Sequence, residues 1–235
     1  MKVLVSDYDD TFYISDDDIE NNKKWVDVFR KNNNKFIIAT GRSYMDFKNE
    51  IYKYNFAYDY VILNHGATVM DNEDNILMNF VINNDISNLI GDILKEKAIK
   101  SSFCTSLLAS RVSLEHGELT KINVMYYSSN DANYVAKKII AMYDNYINLY
   151  WISSVSFEIV SKGVGKDKVL TLLLEIEKMS DSDVYVVGDG HSDIEMIKKY
   201  KGYSMILACE EVKQVARGQV RTVSDLIQKI LSSNC

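Results

Sequence analysis

Short runs that are apolar at nearly every position recur along this chain, each followed by a polar turn and a helical stripe. Residues 2–6, 35–39 and 60–63 are such runs. A strand buried on both faces reads this way, because a parallel sheet covered by helices has no solvent face to alternate with. After the first run, Asp16, Asp17 and Asp18 precede residues 19–31, where Trp25, Val28 and Phe29 make a helical stripe. The acidic triplet reads as an N-cap and a first turn that complements the helix dipole. The alternation returns late in the chain. Residues 166–178 carry Val169, Leu170, Leu173, Leu174 and Ile176 at helical spacing, 184–187 is another buried run, and a glycine-containing turn leads to a helix over 193–200. Residues 203–207 and 220–223 read as short strands and 223–231 as a closing helix. Strand–helix alternation of this kind specifies an α/β fold: a Rossmann-like parallel sheet with helices on both faces.

The middle of the chain has a different period. Helical patterns near 86–96 and 132–143 are interleaved with alternating, half-buried runs at 111–114, 121–127, 148–152 and 156–160. Alternation predicts an antiparallel sheet with one covered face. The expected organisation is a core from residues 1–81 and 161–235, with an α+β module from residues 82–160 inserted into it.

Composition narrows the function. With 27 Lys and Arg against 33 Asp and Glu, the formal net charge is −6, and no basic cluster forms a groove, which argues against nucleic-acid or membrane-surface partners. No apolar run is long enough to span a bilayer. The N-terminus turns acidic within a few residues, unlike a secretory signal, so the expected compartment is the cytoplasm and the expected state a monomer or weak homodimer. Cys104, Cys209 and Cys235 are isolated and odd in number, a pattern of neither a disulfide framework nor a Cys-based zinc motif. The absence of proline reads as compositional bias.

In open α/β sheets, sites lie at the carboxyl ends of the strands. Just past the first run stand Asp7, Asp9 and Thr11, in VSDYDDT; past the second, Thr40, Gly41 and Arg42, in IIATGRS. KGVGK, ending in Lys166, precedes the long helix, and GDGHSD, with Asp189 and Asp193, follows the 184–187 run. Phosphoryl transfer needs this set. A carboxylate attacks phosphorus only when anion–anion repulsion is removed, which a divalent cation held by carboxylates achieves. A second acid two residues on can protonate the leaving oxygen, and a hydroxyl, backbone amides and a lysine stabilise the transferring group.

The four stretches, in this order, resemble the motifs of the haloacid dehalogenase superfamily of phosphohydrolases, over positions 1–70 and 156–200. The resemblance implies Asp7 as nucleophile and metal ligand, and Asp9 as general acid/base that also offers its main-chain carbonyl to the metal. It implies Thr40 and Gly41, with Thr11 and Lys166, as the phosphate-binding groups, and Asp189 and Asp193 as the acids completing a Mg²⁺ site. Thr40 and Lys166 are far enough apart to lodge the last core strands and a cap, and LNHGATV resembles the LNGA stretch before the cap of the Cof-type, IIB subfamily. The implied activity is a Mg²⁺-dependent phosphatase acting through an aspartyl-phosphate on a small phosphorylated metabolite, with sugar phosphates the commonest class.

Two stretches depart from the family pattern. Ser192 replaces the usual asparagine of the fourth motif, and Leu207, Ala208, Cys209 and Glu210 stand where Asn-Ala is usual. His191 lies between the two acids of that motif, but Mg²⁺ prefers oxygen ligands, so it reads as a surface group. Arg42 reads equally as a substrate contact or a structural partner, and Asn64 and His65 as loop groups that face the cleft. Glu158, Arg111 and Ser154 are cap residues that could face it too. Tyr126, Tyr127, Tyr143 and Tyr146 read as an amphipathic core edge. A phospho-receiver module would place its phosphoacceptor after the third strand, where Leu63, Asn64 and His65 offer no acid. The intact acids and lysine speak against a catalytically silent binding protein, and a phosphomutase shares the cap type.

Overall fold

A computed structural model describes residues 1–232, so Cys235 and the end of the second core segment lie outside the described residues. The chain runs β1 (Val3–Ser6), α1 (Asp16–Lys31), β2 (Lys35–Ala39), α2 (Tyr44–Tyr54), β3 (Tyr60–Leu63), β4 (Thr68–Asp71) and β5 (Ile76–Asn79). The inserted part holds α3 (Asn84–Leu94), β6 (Ile99–Thr105), β7 (Lys121–Tyr126), α4 (Ser129–Tyr143), β8 (Ile147–Ser153) and β9 (Ser156–Ser161). The chain then returns through α5 (Lys166–Ile176), β10 (Val184–Gly188), α6 (Ile194–Lys199), β11 (Lys201–Met205), α7 (Glu210–Val215), β12 (Gln219–Val220) and α8 (Val223–Ser232).

One eight-stranded sheet has the order β12-β11-β10-β1-β2-β3-β4-β5. Its strands from β12 to β3 are parallel, and β4 and β5 continue it antiparallel. Every residue of β1 is buried, as its unbroken apolar run demands. From β1 the chain winds outward through β2 and β3, and later in the other direction through β10, β11 and β12. Right-handed crossovers therefore put α1 on one face and α5 and α6, which pack together, on the other, while α8, after the last strand, returns to the first face and packs beside α1. The reversal of winding between β1 and β10 opens a crevice at their carboxyl ends. Helix starts are capped locally: the Ser15 hydroxyl accepts the Asp18 amide proton at 3.2 Å, so Ser15 is the N-cap of α1 and the acidic triplet forms its first turn rather than the cap itself.

The second sheet is antiparallel, in the order β6-β7-β9-β8. Ile122, Val124 and Tyr126 of β7 and Phe157 and Ile159 of β9 face α3 and α4, where they meet Ile90, Leu94, Val135 and Ile139 in a core of their own. Burying each such side chain contributes about 1.5–3 kcal/mol. The alternate residues, Lys121, Asn123 and Glu158, project to the opposite face, over the crevice.

Several expectations are corrected. Residues 111–114 form no strand; only an isolated bridge between Val112 and Cys104 and a 3₁₀ turn at Leu114–His116 occur there, and the paired edge strand is β6. The polar sequence of β6, with Lys100, Ser101 and Ser102 exposed, hides its strand character because an edge strand needs little burial. The hairpin β4–β5 was likewise not apparent, as was the short α7. Of the four tyrosines, Tyr126 and Tyr143 are core, whereas Tyr127 and Tyr146 are exposed.

Candidate active site

The loop after β1 folds back on itself, the amides of Phe12 and Tyr13 donating to the carbonyls of Asp7 and Tyr8, so that Asp7 and Asp9 line the crevice while Tyr8 lies in the core. The Asp7 amide still bonds Val187 O at 3.0 Å, which holds the residue at the junction of β1 and β10. Lys166, the first residue of α5 and almost wholly buried, donates to Asp7 Oδ1 at 2.6 Å and to Asp193 Oδ1 at 2.7 Å. The other oxygen of Asp193 accepts the amide protons of Asp189 at 3.2 Å and Gly190 at 3.1 Å, so Asp193 shapes its own loop. A β-carbon on Gly188 would lie 2.5 Å from Asp193 Cγ, which explains why glycine ends β10.

Carboxylate oxygens of Asp7, Asp189 and Asp193 lie within 4.8 Å of one another. Burial, together with Asp193 and Asp189 nearby, pushes the Asp7 carboxyl well above the usual carboxylate range against the pull of Lys166. Burial and Asp193 also raise Asp189, although the Thr11 hydroxyl bond favours its ionised form. Burial works against the Lys166 ammonium, yet Asp193 and Asp7 hold its proton more tightly than usual. Three crowded acids with one ammonium are short of positive charge. Their all-oxygen donor set, including the Asp189 oxygen that Thr11 leaves unbonded, fits a hard divalent cation such as Mg²⁺.

Thr40 follows β2, and its hydroxyl accepts the Arg42 amide proton at 3.1 Å, leaving its own proton to donate into the crevice. Arg42 forms a two-pronged pair with Asp9, Nη2 to Oδ1 at 2.7 Å and Nε to Oδ2 at 2.9 Å, bonds Glu50 at 2.7 Å and covers the Tyr8 ring. Glu50 in turn accepts from the Tyr8 hydroxyl at 2.7 Å. This ring ties the first two motif loops together, so Arg42 is a structural partner of Asp9 in this conformation.

Above these groups hangs the polar face of the second sheet. Lys121 Nζ donates to Gly41 O at 2.7 Å and pairs with Glu158 at 2.8 Å. Asn123 donates to the same Glu158 oxygen at 2.9 Å, and His65 Nε2 meets the other at 2.6 Å while its ring stacks on Tyr150. Burial opposes the charge on Glu158, but the Lys121 ammonium and the His65 bond hold its pKa at about 2. Burial lowers His65, and the Lys121 and Lys166 ammoniums add to this against the pull of Glu158. The pair is therefore carboxylate with neutral imidazole, and Nε2 carries the proton. Nδ1 is then a buried acceptor without a hydrogen-bond partner among the described residues.

The cleft between the sheets has a volume of about 800 Å³, and Asp7, Asp9, Thr40, Gly41, Arg42, His65, Lys166, Asp189, Ser192 and Asp193 all line it. Two expected contacts fall elsewhere. Thr11 is fully buried and donates to Asp189 at 2.7 Å, so it orients that acid instead of meeting phosphate. Asn64 is fully buried and bonded to Thr120 and Thr105, where it joins the core to the second sheet. Glu158 lines the cleft, whereas Arg111 lies over the Phe103 ring and Ser154 is not part of the lining. Lys121, Tyr150 and Trp151 also line it. They were missed because a lysine or aromatic in an alternating strand looks like an ordinary outward-facing residue.

The family profile of haloacid dehalogenase-like hydrolases matches residues 4–116 and 106–226. A Mycoplasma capricolum protein is 35% identical over 99 residues, a match spanning 40% of this chain and 37% of that protein's length. The fold is similar to a haloacid dehalogenase-like hydrolase from Bacteroides thetaiotaomicron, with a TM-score of 0.82 and 19% identity over 97% of this chain and 99% of that one. A phosphatase of the same superfamily from Bacteroides thetaiotaomicron gives 0.79 at 19% identity, over 100% of this chain and 95% of the other. A subclass IIB sugar phosphatase gives 0.78 at 17% identity, over 100% and 99%. The chain, with its acids and lysine gathered where β1 and β10 part, belongs to the family of haloacid dehalogenase-like hydrolases.

Proposed function

We propose that the protein is a Mg²⁺-dependent phosphatase that hydrolyses a small phosphorylated metabolite, a sugar phosphate foremost, through an aspartyl-phosphate on Asp7. Residues 1–81 and 161–235 act as the catalytic core, and 82–160 as the cap that selects the substrate. The observation that carries this is Lys166 Nζ held between Asp7 and Asp193 at 2.6 and 2.7 Å, with Asp189 in the same oxygen cluster at the strand switch point.

Lys166 pins one oxygen of Asp7 and leaves the other free to attack. A Mg²⁺ held by the Asp7, Asp189 and Asp193 cluster would supply the positive charge that lets two anions approach. Asp7 attacks phosphorus as the bond to the leaving oxygen breaks, and Asp9 gives its proton to that oxygen. Water then attacks the aspartyl-phosphate, its proton passes to Asp9, and phosphate and the Asp7 carboxylate are released. Asp9 must part from Arg42 to do this, and its half-exposed side chain has room to turn. The Thr40 hydroxyl and Lys166 stabilise the equatorial oxygens. The substrate's remaining part would meet Lys121, Glu158, Tyr150 and Trp151, a wall of hydrogen-bonding and aromatic groups suited to a polyhydroxylated leaving group.

Asp7→Asn keeps the shape but removes the nucleophile and one anionic ligand, so turnover should collapse while the fold survives. Asp9→Asn should lower the rate by about 10²–10⁴-fold, least for good leaving groups. EDTA should abolish activity and Mg²⁺ restore it, and beryllium fluoride should inhibit. Full activity in Asp7→Asn, or indifference to EDTA, would sink the assignment. A screen of sugar phosphates against other phosphorylated metabolites tests the substrate class.

A further inference from the structure

Beyond the oxygen cluster, a second group of metal-ligating side chains stands at the lip of the cleft. His191 opens the 3₁₀ turn His191–Asp193, Cys209 precedes α7, and Glu211 lies in its first turn. Isolated in sequence, they show no zinc spacing, but α7 packs against the turn and brings them together. His191 Nε2 and Cys209 Sγ are 3.9 Å apart, and a donor atom from each of the three lies within 4.8 Å of the others. The Glu211 carboxyl is held below its ordinary value by its own backbone amide and by the Cys209 thiol.

We propose that His191, Cys209 and Glu211 form a site for a borderline-soft divalent cation, Zn²⁺ in particular, distinct from the Asp7–Asp189–Asp193 cluster. With Zn–S of about 2.3 Å and Zn–N of about 2.0–2.1 Å, a tetrahedral ion sets its sulfur and nitrogen ligands roughly 3.6 Å apart. The observed 3.9 Å needs only a slight inward turn of either side chain. Sulfur, imidazole and carboxylate select zinc or cobalt over magnesium, whereas the oxygen cluster has no soft donor. All three side chains are at least partly exposed, so a fourth position stays open to water. On binding, the Cys209 thiol loses its proton to solvent and the thiolate bonds the ion. Because His191 sits midway between Asp189 and Asp193, such an ion ties α7 to the loop carrying both acids.

The test uses the whole chain carrying Cys235→Ser, in excess Mg²⁺ so that the oxygen cluster is occupied, and titrates Co²⁺. The expected result is a thiolate-to-cobalt absorption in the near ultraviolet that saturates at one equivalent, is displaced by Zn²⁺ and vanishes in Cys209→Ser. His191→Gln should weaken it by more than the about 10-fold that loss of even an outer partner brings. Independently of any variant's folding, Zn²⁺ should slow alkylation of Cys209 by iodoacetamide in the parent. No absorption, absorption that survives Cys209→Ser, affinity unchanged in His191→Gln, or unaltered alkylation would each overturn the site. None of these readouts involves turnover, so their failure would leave the phosphatase proposal untouched.

Discussion

Glu158 is the residue on which the contact between the two sheets should turn. Its carboxylate is buried, receives Lys121 at 2.8 Å, Asn123 at 2.9 Å and His65 at 2.6 Å, and has a pKa of about 2 against an ordinary 4.5. That displacement corresponds to roughly 3 kcal/mol of preference for the ionised form in the folded state. Glu158→Gln keeps the shape but leaves the Lys121 ammonium buried without a counter-charge, the costly way to break such a pair. We expect a loss of about 3 kcal/mol at pH 7, read by urea denaturation, or roughly 6–12 °C in Tm for a chain of this size. Lys121→Met should cost a similar amount. The double variant Glu158→Gln/Lys121→Met should be clearly more stable than the sum of the two losses implies, because no unpaired charge remains. The sign with pH follows from the depressed value: the Glu158 contribution is complete above about pH 4.5 and fades as pH falls toward about 2. The gap between parent and Glu158→Gln should close over that window. Additivity of the two losses to within about 0.5 kcal/mol, or a Glu158→Gln loss under about 1 kcal/mol, would refute the buried pair.

His65 has a lowered pKa, so the unfolded chain takes up its proton first and the stability it confers is lost as pH falls below about 6.5. The parent should therefore lose more stability than His65→Gln between pH 7 and pH 5, and parallel losses would contradict the neutral imidazole. Asp7 and Asp189 are raised, so without metal the fold is favoured below their ordinary values and weakened as pH rises through the shifted ones. Saturating Mg²⁺ should consequently raise Tm more at pH 8 than at pH 5, and an equal or reversed effect would speak against the cluster as the cation site. In Gly41→Ala the new Cβ would lie 2.6 Å from His65 Cε1, against a ring clamped by Glu158 and Tyr150. It should cost about 1–3 kcal/mol and lower kcat/KM through the neighbouring Thr40, and because His65→Ala removes the clash, the double variant should lose less than the sum of the two single losses.

What the sequence made legible was whatever local chemistry imposes. A strand buried on both faces must be apolar throughout, so β1, β2, β3 and β10 stood out, and their ends located Asp7, Thr40 and Asp189. Edge elements escaped for the converse reason: β6 is paired on one side only and tolerates Lys100 and the neighbouring serines. Within the site, the residues that could be named were those next in sequence to a buried strand. Roles set by long-range contact could not be read. Thr11 looked like a phosphate ligand until the fold placed Asp189 2.7 Å from its hydroxyl, and Asn64 looked like a cleft residue until the fold placed Thr120 and Thr105 beside it. Lys121 and Glu158 lie on different strands, and nothing local reveals that they meet.

The same contact explains a backbone feature that would otherwise be a liability. Asn64 and His65 both have positive φ, 49° and 57°, and Gly66 follows at 109°. Successive left-handed residues that are not glycine cost of order 1–3 kcal/mol each and persist only where surroundings over-determine them. Here the surroundings come from the cap: Thr105 and Thr120 hold the Asn64 side chain, and Glu158 and Tyr150 hold His65. The bend lays the imidazole against Gly41, beside Thr40, and Lys121 reaches the Gly41 carbonyl from the same side. The strained loop and the cap sheet thus stabilise each other, and each bears on the residue next to Thr40. If the chain is the phosphatase proposed above, Glu158→Gln should then raise KM as well as lower stability, because the strain that Glu158 holds in place would relax into the loop carrying Thr40.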